Sequence, residues 1–199
     1  MNRNDSNLML FEVAKLNELV AQNILRITKL IKDKKFIQVS SLNIKNKTSP
    51  LIKKFLCDEC FFSIDEFSGL YLFFTLNAEN ENIEGLYTGI SRNLLVRLKD
   101  HILGDPTVAS FAVLMARANN KELNDYFTTT AYKPKKTQEE QDIHRLRKSQ
   151  LKDAVRKSQL ELKNYYLTAI PINNYQEMHA TEAFVAGNFE CKYNSFRTH

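Results

Sequence analysis

Six residues of this chain have types and spacings that suit work on a phosphodiester. Gly69-Leu70-Tyr71 is followed, sixteen positions after its tyrosine, by Tyr87-Thr88-Gly89. Arg97 stands eight residues beyond that glycine, and His101 four beyond Arg97. Glu182 and Asn194 come far downstream. Cleaving a phosphodiester requires that an attacking water lose a proton, that added charge on phosphorus be stabilised and that the leaving oxygen be neutralised. A guanidinium such as Arg97 grips phosphate oxygens in a fixed fork. A carboxylate such as Glu182 can share a hard divalent cation with water and phosphate oxygens. A tyrosine serves as base only if neighbouring cations lower its pKa from about 10. Arg97, a metal-bound water or a protonated His101 are the candidates for that service. Singly, each residue has an ordinary reading: a packed strand tyrosine, a surface arginine, a histidine at a helix end, a solvated glutamate. Their joint spacing is more specific than any member.

The elements that must carry these residues follow from periodicity. Gly69 to Leu76 is aromatic, apolar and free of proline, which predicts a strand. Residues 77–82 have turn chemistry, and Leu86 to Ser91 predicts a second strand pairing back as a hairpin. Alternation puts Tyr71 on the face of Phe73, and Tyr87 on the face of Gly89, whose missing side chain is expected to leave room for a phosphate beside Tyr87. Asn93 is a helix cap by type. A helix is predicted over 94–103, with Leu94, Leu98 and Ile102 facing the core and Arg97 and His101 as a flanking pair. Gly104-Asp105-Pro106 ends it. A helix over 109–117, a basic loop at 133–136, and a long helix from Thr137 or Gln138 to about Asn164 come next. A third strand is predicted over 165–170, and a last helix from about Tyr175 carries Glu182. At the front, residues 7–32 repeat apolar side chains every three or four positions, capped by Asp5 or Ser6. That stripe needs a covering surface, either this chain's core or a second subunit in a homodimer. A short helix is expected around 51–56.

The order of these residues resembles the GIY-YIG nuclease domain. The resemblance covers roughly residues 68–104 and 165–199, about a third of the chain. It implies an α+β fold, a small three-stranded antiparallel sheet flanked by helices. It also implies hydrolysis with one divalent metal, Mg²⁺ or another such as Mn²⁺. The positions matching the family's active site are Tyr71, Tyr87, Arg97, His101, Glu182 and Asn194, with Glu182 as metal ligand. Tyr71 takes the proposed general-base role and Tyr87 assists it. Leu70 and Thr88 depart from the family's isoleucines. The 81 positions between His101 and Glu182 exceed those of minimal members, which calls for a helical insertion at about 105–164. The same gap makes Glu177 a rival to Glu182. The resulting organisation is a mainly helical extension over 1–64 and a nuclease-like domain over 65–199.

Charge and composition agree with a nucleic-acid partner. The formal net charge is +5, and from Lys133 to Lys163 there are ten Lys and Arg against five Asp and Glu. Arg145, Arg147, Lys148, Lys152, Arg156 and Lys157 on the long helix are the expected DNA contacts, salt-sensitive and without base-reading geometry. The alternative to a phosphate-binding face is a solvated helix face. Apolar residues at 43% and charged residues at 26% describe an ordinary globular chain. No apolar run reaches the roughly 18 residues that span a bilayer, and no signal-peptide pattern opens the chain, so a cytoplasmic location and no membrane partner are expected. Three cysteines fit a reducing compartment. Cys57-x-x-Cys60 is half of a zinc pattern, which Cys191 or His199 would have to complete; a pair of structural thiols is the simpler reading. The functions these features favour are a metal-dependent DNA endonuclease of the restriction, defence or mobile-element kind, or a catalytically weak GIY-YIG module binding nucleic acid in a larger assembly. A helical interaction protein with a chance motif is the third reading.

Overall fold

A computed structural model describes residues 3–42, 68–77, 82–130, 133–135 and 137–194, with side chains from residue 12 onward. The helix expected at 51–56, Cys57, Cys60 and His199 lie outside the described residues. The chain divides into two units: Met1–Leu95 with Tyr165–His199, and Val96–Asn164.

The first unit is built on a mixed-length antiparallel sheet. Its strands are β1 (Ile37–Gln38), β2 (Gly69–Leu76), β3 (Ile83–Ser91) and β4 (Tyr166–Pro171), in the spatial order β1-β4-β2-β3. The sheet therefore has four strands, one more than the resemblance implied. The extra one is too short to show a period of two in the sequence; it is held by pairing Ile37 with Leu167 and Gln38 with Tyr166. The Val39 N–H extends that edge by donating to the Tyr165 carbonyl at 2.9 Å. The predicted hairpin is present, with Tyr71 opposite Gly89 and Phe73 opposite Tyr87, and a bulge between Phe73 and Phe74. Strand β3 begins at Ile83, earlier than its apolar run, because partly exposed Ile83 and Glu84 still pair with Leu76 and Thr75.

Two helices cover one face of this sheet. They are α1 (Arg3–Lys32) and the last helix (Tyr175–Asn188). Ile27 and Ile31 of the first, with Met178, Val185 and Ala186 of the second, pack on Leu70, Leu72, Phe74 and Ile170. The C-terminal part of the α1 stripe is thus covered within its own chain, while Val13 and Leu25 are exposed. One polar residue interrupts the stripe. Buried Asn23 donates to Glu177 Oε1 at 2.7 Å and to Thr181 Oγ1 at 3.3 Å, which fixes the helices in register. Arg3, Asp5 and Ser6 are all helical, so the helix starts before the caps expected for it.

The second unit is helical. It takes up α2 (Leu94–Leu103) from Val96 onward and contains α3 (Ser110–Ala118), α4 (Lys121–Thr129) and α5 (Gln138–Leu162), so the last helix of the chain is α6. Helix α4 was not evident from its polar, aromatic sequence. Asn120 caps it, accepting from the Leu123 N–H at 3.0 Å, and Leu123 is its one fully buried residue. Helix α5 opens with a capping box: Thr137 Oγ1 accepts from the Glu140 N–H and Glu140 Oε2 accepts from the Thr137 N–H. Leu151, Val155, Ser158 and Leu162, spaced four, three and four apart, form its buried edge. It packs against α3, whose Phe111, Ala112, Met115 and Ala116 are buried.

Candidate functional site

Alternation along β2 decides where the tyrosines go. Leu70, Leu72 and Phe74 point into the core beneath α1 and α6, so Tyr71 and Phe73 occupy the opposite face. Their cross-strand partners Gly89 and Tyr87 share that face. The Tyr71 and Tyr87 ring centroids are 6.3 Å apart at 44°, and Tyr71 stands edge-on to Phe73 at 5.8 Å. Tyr71 is fully buried and Tyr87 half-buried.

The gap expected over Gly89 is filled. A Cβ built on Gly89 would fall 2.6 Å from Tyr71 Cζ and 3.1 Å from Tyr87 Cε1. Glycine is needed there so that two phenol rings can close over the strand, and the room reserved for a phosphate is taken by Tyr71 itself. Gly69 is constrained in the same way by the Ile170 backbone of the neighbouring strand. Both motif glycines thus serve close packing of the sheet. Thr88, the departure in the second motif, is fully buried, and its hydroxyl donates to the Tyr71 carbonyl at 2.9 Å.

Asn194 is bound to the same strand. Its Oδ1 accepts from the Thr88 N–H at 2.7 Å and its Nδ2 donates to the Thr88 carbonyl at 2.8 Å. The Lys192 and Tyr193 N–H groups donate to the Gly85 and Leu86 carbonyls. Residues 192–194 so cover the outer edge of β3, which would otherwise present a row of unpaired backbone groups. The carboxamide of Asn194 holds the strand carrying Tyr87.

Glu182 lies on α6, the helix covering the face opposite the tyrosines. Helix α6 packs on β3, the edge strand, as well as on β2. The Glu182 side chain is 18% exposed, and its Oε2 is 3.9 Å from His179 Nδ1. His179 stands edge-on to Tyr175 at 4.3 Å, and the Arg92 guanidinium lies over the Tyr175 ring at 5.1 Å. This row of Arg92, Tyr175, His179 and Glu182 was missed from the sequence, although 175, 179 and 182 are four and three apart and share a helix face. The rival Glu177 is engaged by Asn23. Among the described residues no three His, Cys, Asp or Glu side chains stand together as a metal cage. An ion such as Mg²⁺, which keeps most of its shell as water and phosphate oxygens, needs only one or two carboxylates. Glu182 is the residue that would hold such an ion.

Within the second unit, Arg97 and His101 both sit on α2, but His101 is buried with the core stripe instead of flanking it. Leu98 and Ile102 are buried beside them. Arg97 donates to the Val108 carbonyl at 3.1 Å and to Ser110 Oγ at 2.6 Å. His101 is fully buried. Its Nδ1 accepts from the Phe111 N–H at 3.3 Å, which puts the ring proton on Nε2. Burial, and then the Arg97 charge, lower its pKa to about 3. A protonated His101, one of the cations considered for activating a tyrosine, is therefore excluded at neutral pH. Cys191 is also buried, and burial raises its thiol pKa to about 12, so it is protonated at neutral pH.

The six basic positions of α5 separate. Arg145, Lys148, Lys152 and Arg156 follow spacings of three, four and four and make one stripe. Arg145 pairs with Asp142 at 3.1 Å and Arg156 with Asp153 at 3.8 Å, both exposed. Arg147 and Lys157 lie elsewhere, in a groove with Glu122, Asp153 and Glu161, and Arg147 pairs with Glu122 at 3.0 Å. No helix among the described residues is long and apolar enough to cross a membrane. No family model matches the chain, and no curated protein or solved structure is significantly similar to it.

Proposed function

We propose that this chain is a metal-dependent endonuclease of the GIY-YIG kind that hydrolyses DNA phosphodiester bonds. The observation that carries the reading is the tyrosine pair: Tyr71 and Tyr87 come from adjacent strands to one face, ring centroids 6.3 Å apart, over a glycine that admits nothing larger. In this reading Tyr87, half-buried, meets the strand to be cut and Tyr71 packs behind its ring; either phenol takes the proton of the attacking water only as phenolate, after losing its own proton. Asn194 positions β3. Arg97 would stabilise the charge gathering on phosphorus. The leaving oxygen would need a divalent cation, for which the resemblance offers Glu182, whose helix covers the sheet face opposite the tyrosines.

The alternative is a catalytically weak module of the same kind that binds nucleic acid within a larger assembly. The full burial of Tyr71, and α6 lying on the face opposite the tyrosines, favour it. Plasmid nicking in Mg²⁺ separates the two. The endonuclease reading expects wild-type cleavage, lost in Tyr87→Phe, Arg97→Ala and Glu182→Gln. Absence of wild-type nicking leaves the binding module. Full activity of Glu182→Gln removes that residue as metal ligand.

A further inference from the structure

The second unit contains a cleft whose lining includes two of the expected DNA contacts, Lys148 and Lys152. It measures about 700 Å³, within the range of ordinary small-molecule sites. Val113, Phe127 and Leu151 give it an apolar lining, while Arg117, Lys148 and Lys152 supply three cations. Asp105 also lines it, but the Thr107 N–H and hydroxyl already donate to that carboxylate. His144 lines it as well. Partial burial, then Lys148 and Lys135, lower its pKa, and its Nδ1 shares a hydrogen bond with the Tyr126 hydroxyl at 2.7 Å.

Two observations point to an anionic occupant. Lys148 makes no ion pair among the described residues, in contrast to Arg145 and Arg156 on the same stripe. The Arg117 Nε is buried and has no hydrogen-bond partner among the described residues, although its Nη2 donates to Thr128 at 2.7 Å. A buried donor without an acceptor is uncommon in a finished fold. The Arg117 side chain also lines the cleft, so its charge acts on whatever enters.

We propose that this cleft binds a nucleotide, the phosphate held by Arg117, Lys148 and Lys152 and the base packed against Phe127, Val113 and Leu151. An inorganic anion would use the cations and leave the apolar lining wet; an uncharged apolar ligand would do the reverse. A nucleotide has both a phosphate and a flat aromatic body, the combination that single-strand binding surfaces grip. The choice of a nucleotide over other organic phosphates rests on the nuclease reading. The nucleotide is either free or one residue of a single strand, and the chemistry recognised is the same.

The test uses the full chain in EDTA, so that nothing is cut. Fluorescence anisotropy follows a labelled eight-residue oligothymidylate, with unlabelled dTMP, thymidine and inorganic phosphate as competitors. The expected result is binding that dTMP displaces at least tenfold better than thymidine or phosphate. Lys148→Glu and Lys152→Glu should each weaken it tenfold or more, and the volume-conserving Phe127→Leu about tenfold, as for loss of one stacked base. Lys163→Glu, exposed at the far end of α5, should bind as wild type. Circular dichroism on each variant confirms its helix content. An oligomer that binds much more tightly than dTMP identifies a strand as the source; equal affinities identify the free nucleotide. The proposal is overturned if neither ligand binds, if Lys148→Glu, Lys152→Glu and Phe127→Leu all bind as wild type, or if phosphate competes as well as dTMP. Wild-type protein that binds the oligonucleotide in this way but nicks no plasmid in Mg²⁺ removes the nuclease reading and leaves the cleft.

Discussion

His101 makes unfolding of the second unit depend on pH in a way that can be calculated. In the unfolded chain its pKa is about 6.5; in the fold, burial and the nearby Arg97 lower it to about 3. Between those values the unfolded state holds a proton that the folded state lacks. Stability is then complete above pH 6.5 and falls as pH drops toward 3, by about 1.4 kcal/mol per pH unit. From pH 7.5 to 5.0 the loss from this one group is about 1.36 × 1.5, or ~2 kcal/mol. Asparagine is the informative replacement, because its Oδ1 can stand where Nδ1 accepts from the Phe111 N–H and it does not titrate. His101→Asn should be less stable than wild type at both pH values, since ring volume is lost from a buried position. Its change between the two pH values should be smaller by ~2 kcal/mol. Urea unfolding followed by circular dichroism at pH 7.5 and 5.0, on both proteins, gives the difference directly. The other histidines are common to both chains and cancel. Equal losses in the two proteins would show that His101 takes up its proton as easily folded as unfolded, and the account of its burial would be wrong.

Gly89→Ala puts a methyl group into the two phenol rings, 2.6 Å from Tyr71 Cζ, and should cost about 1–3 kcal/mol. That is a fall of several degrees in Tm for a chain of this size; an unchanged Tm would mean that the rings have room. Asn194→Ala strands the N–H and carbonyl of buried Thr88, at about 1–3 kcal/mol. It should also speed hydrogen exchange at the Thr88 amide, and an unaltered rate there would refute the clamp.

Much of the fold could be read locally. The α+β class, strand β2 at Gly69–Leu76, helix α2 at Leu94–Leu103 and the cap of α5 at Thr137 all depend on residues within a few positions of one another. The parts that escaped depend on distant partners or on local rules broken for tertiary reasons. Strand β1 is two residues long and exists because β4 offers it an edge. Helices α1 and α6 both stop in a left-handed residue, Lys34 at φ 56° and Glu190 at φ 47°, where glycine is the usual signal. The paired N–H bonds from Lys34 and Lys35 to Ile31 and Leu30, and from Glu190 and Cys191 to Gly187 and Ala186, close each helix without one.

For the candidate site, alternation along each strand determined that Tyr71 lies with Phe73 and Tyr87 with Gly89; the register between the strands put both tyrosines on one face. Spacing also placed Arg97 beside His101 on one helix, and gathered four cations of α5 into a stripe. Only the tertiary structure decided that the space over Gly89 belongs to Tyr71, that His101 is neutral, that Asn194 clamps Thr88, and that the helix bearing Glu182 covers the other face of the sheet. Burial, charge state and hydrogen-bond partner are properties of what packs against a residue, and the residues that pack here lie as far as 158 positions apart in the chain.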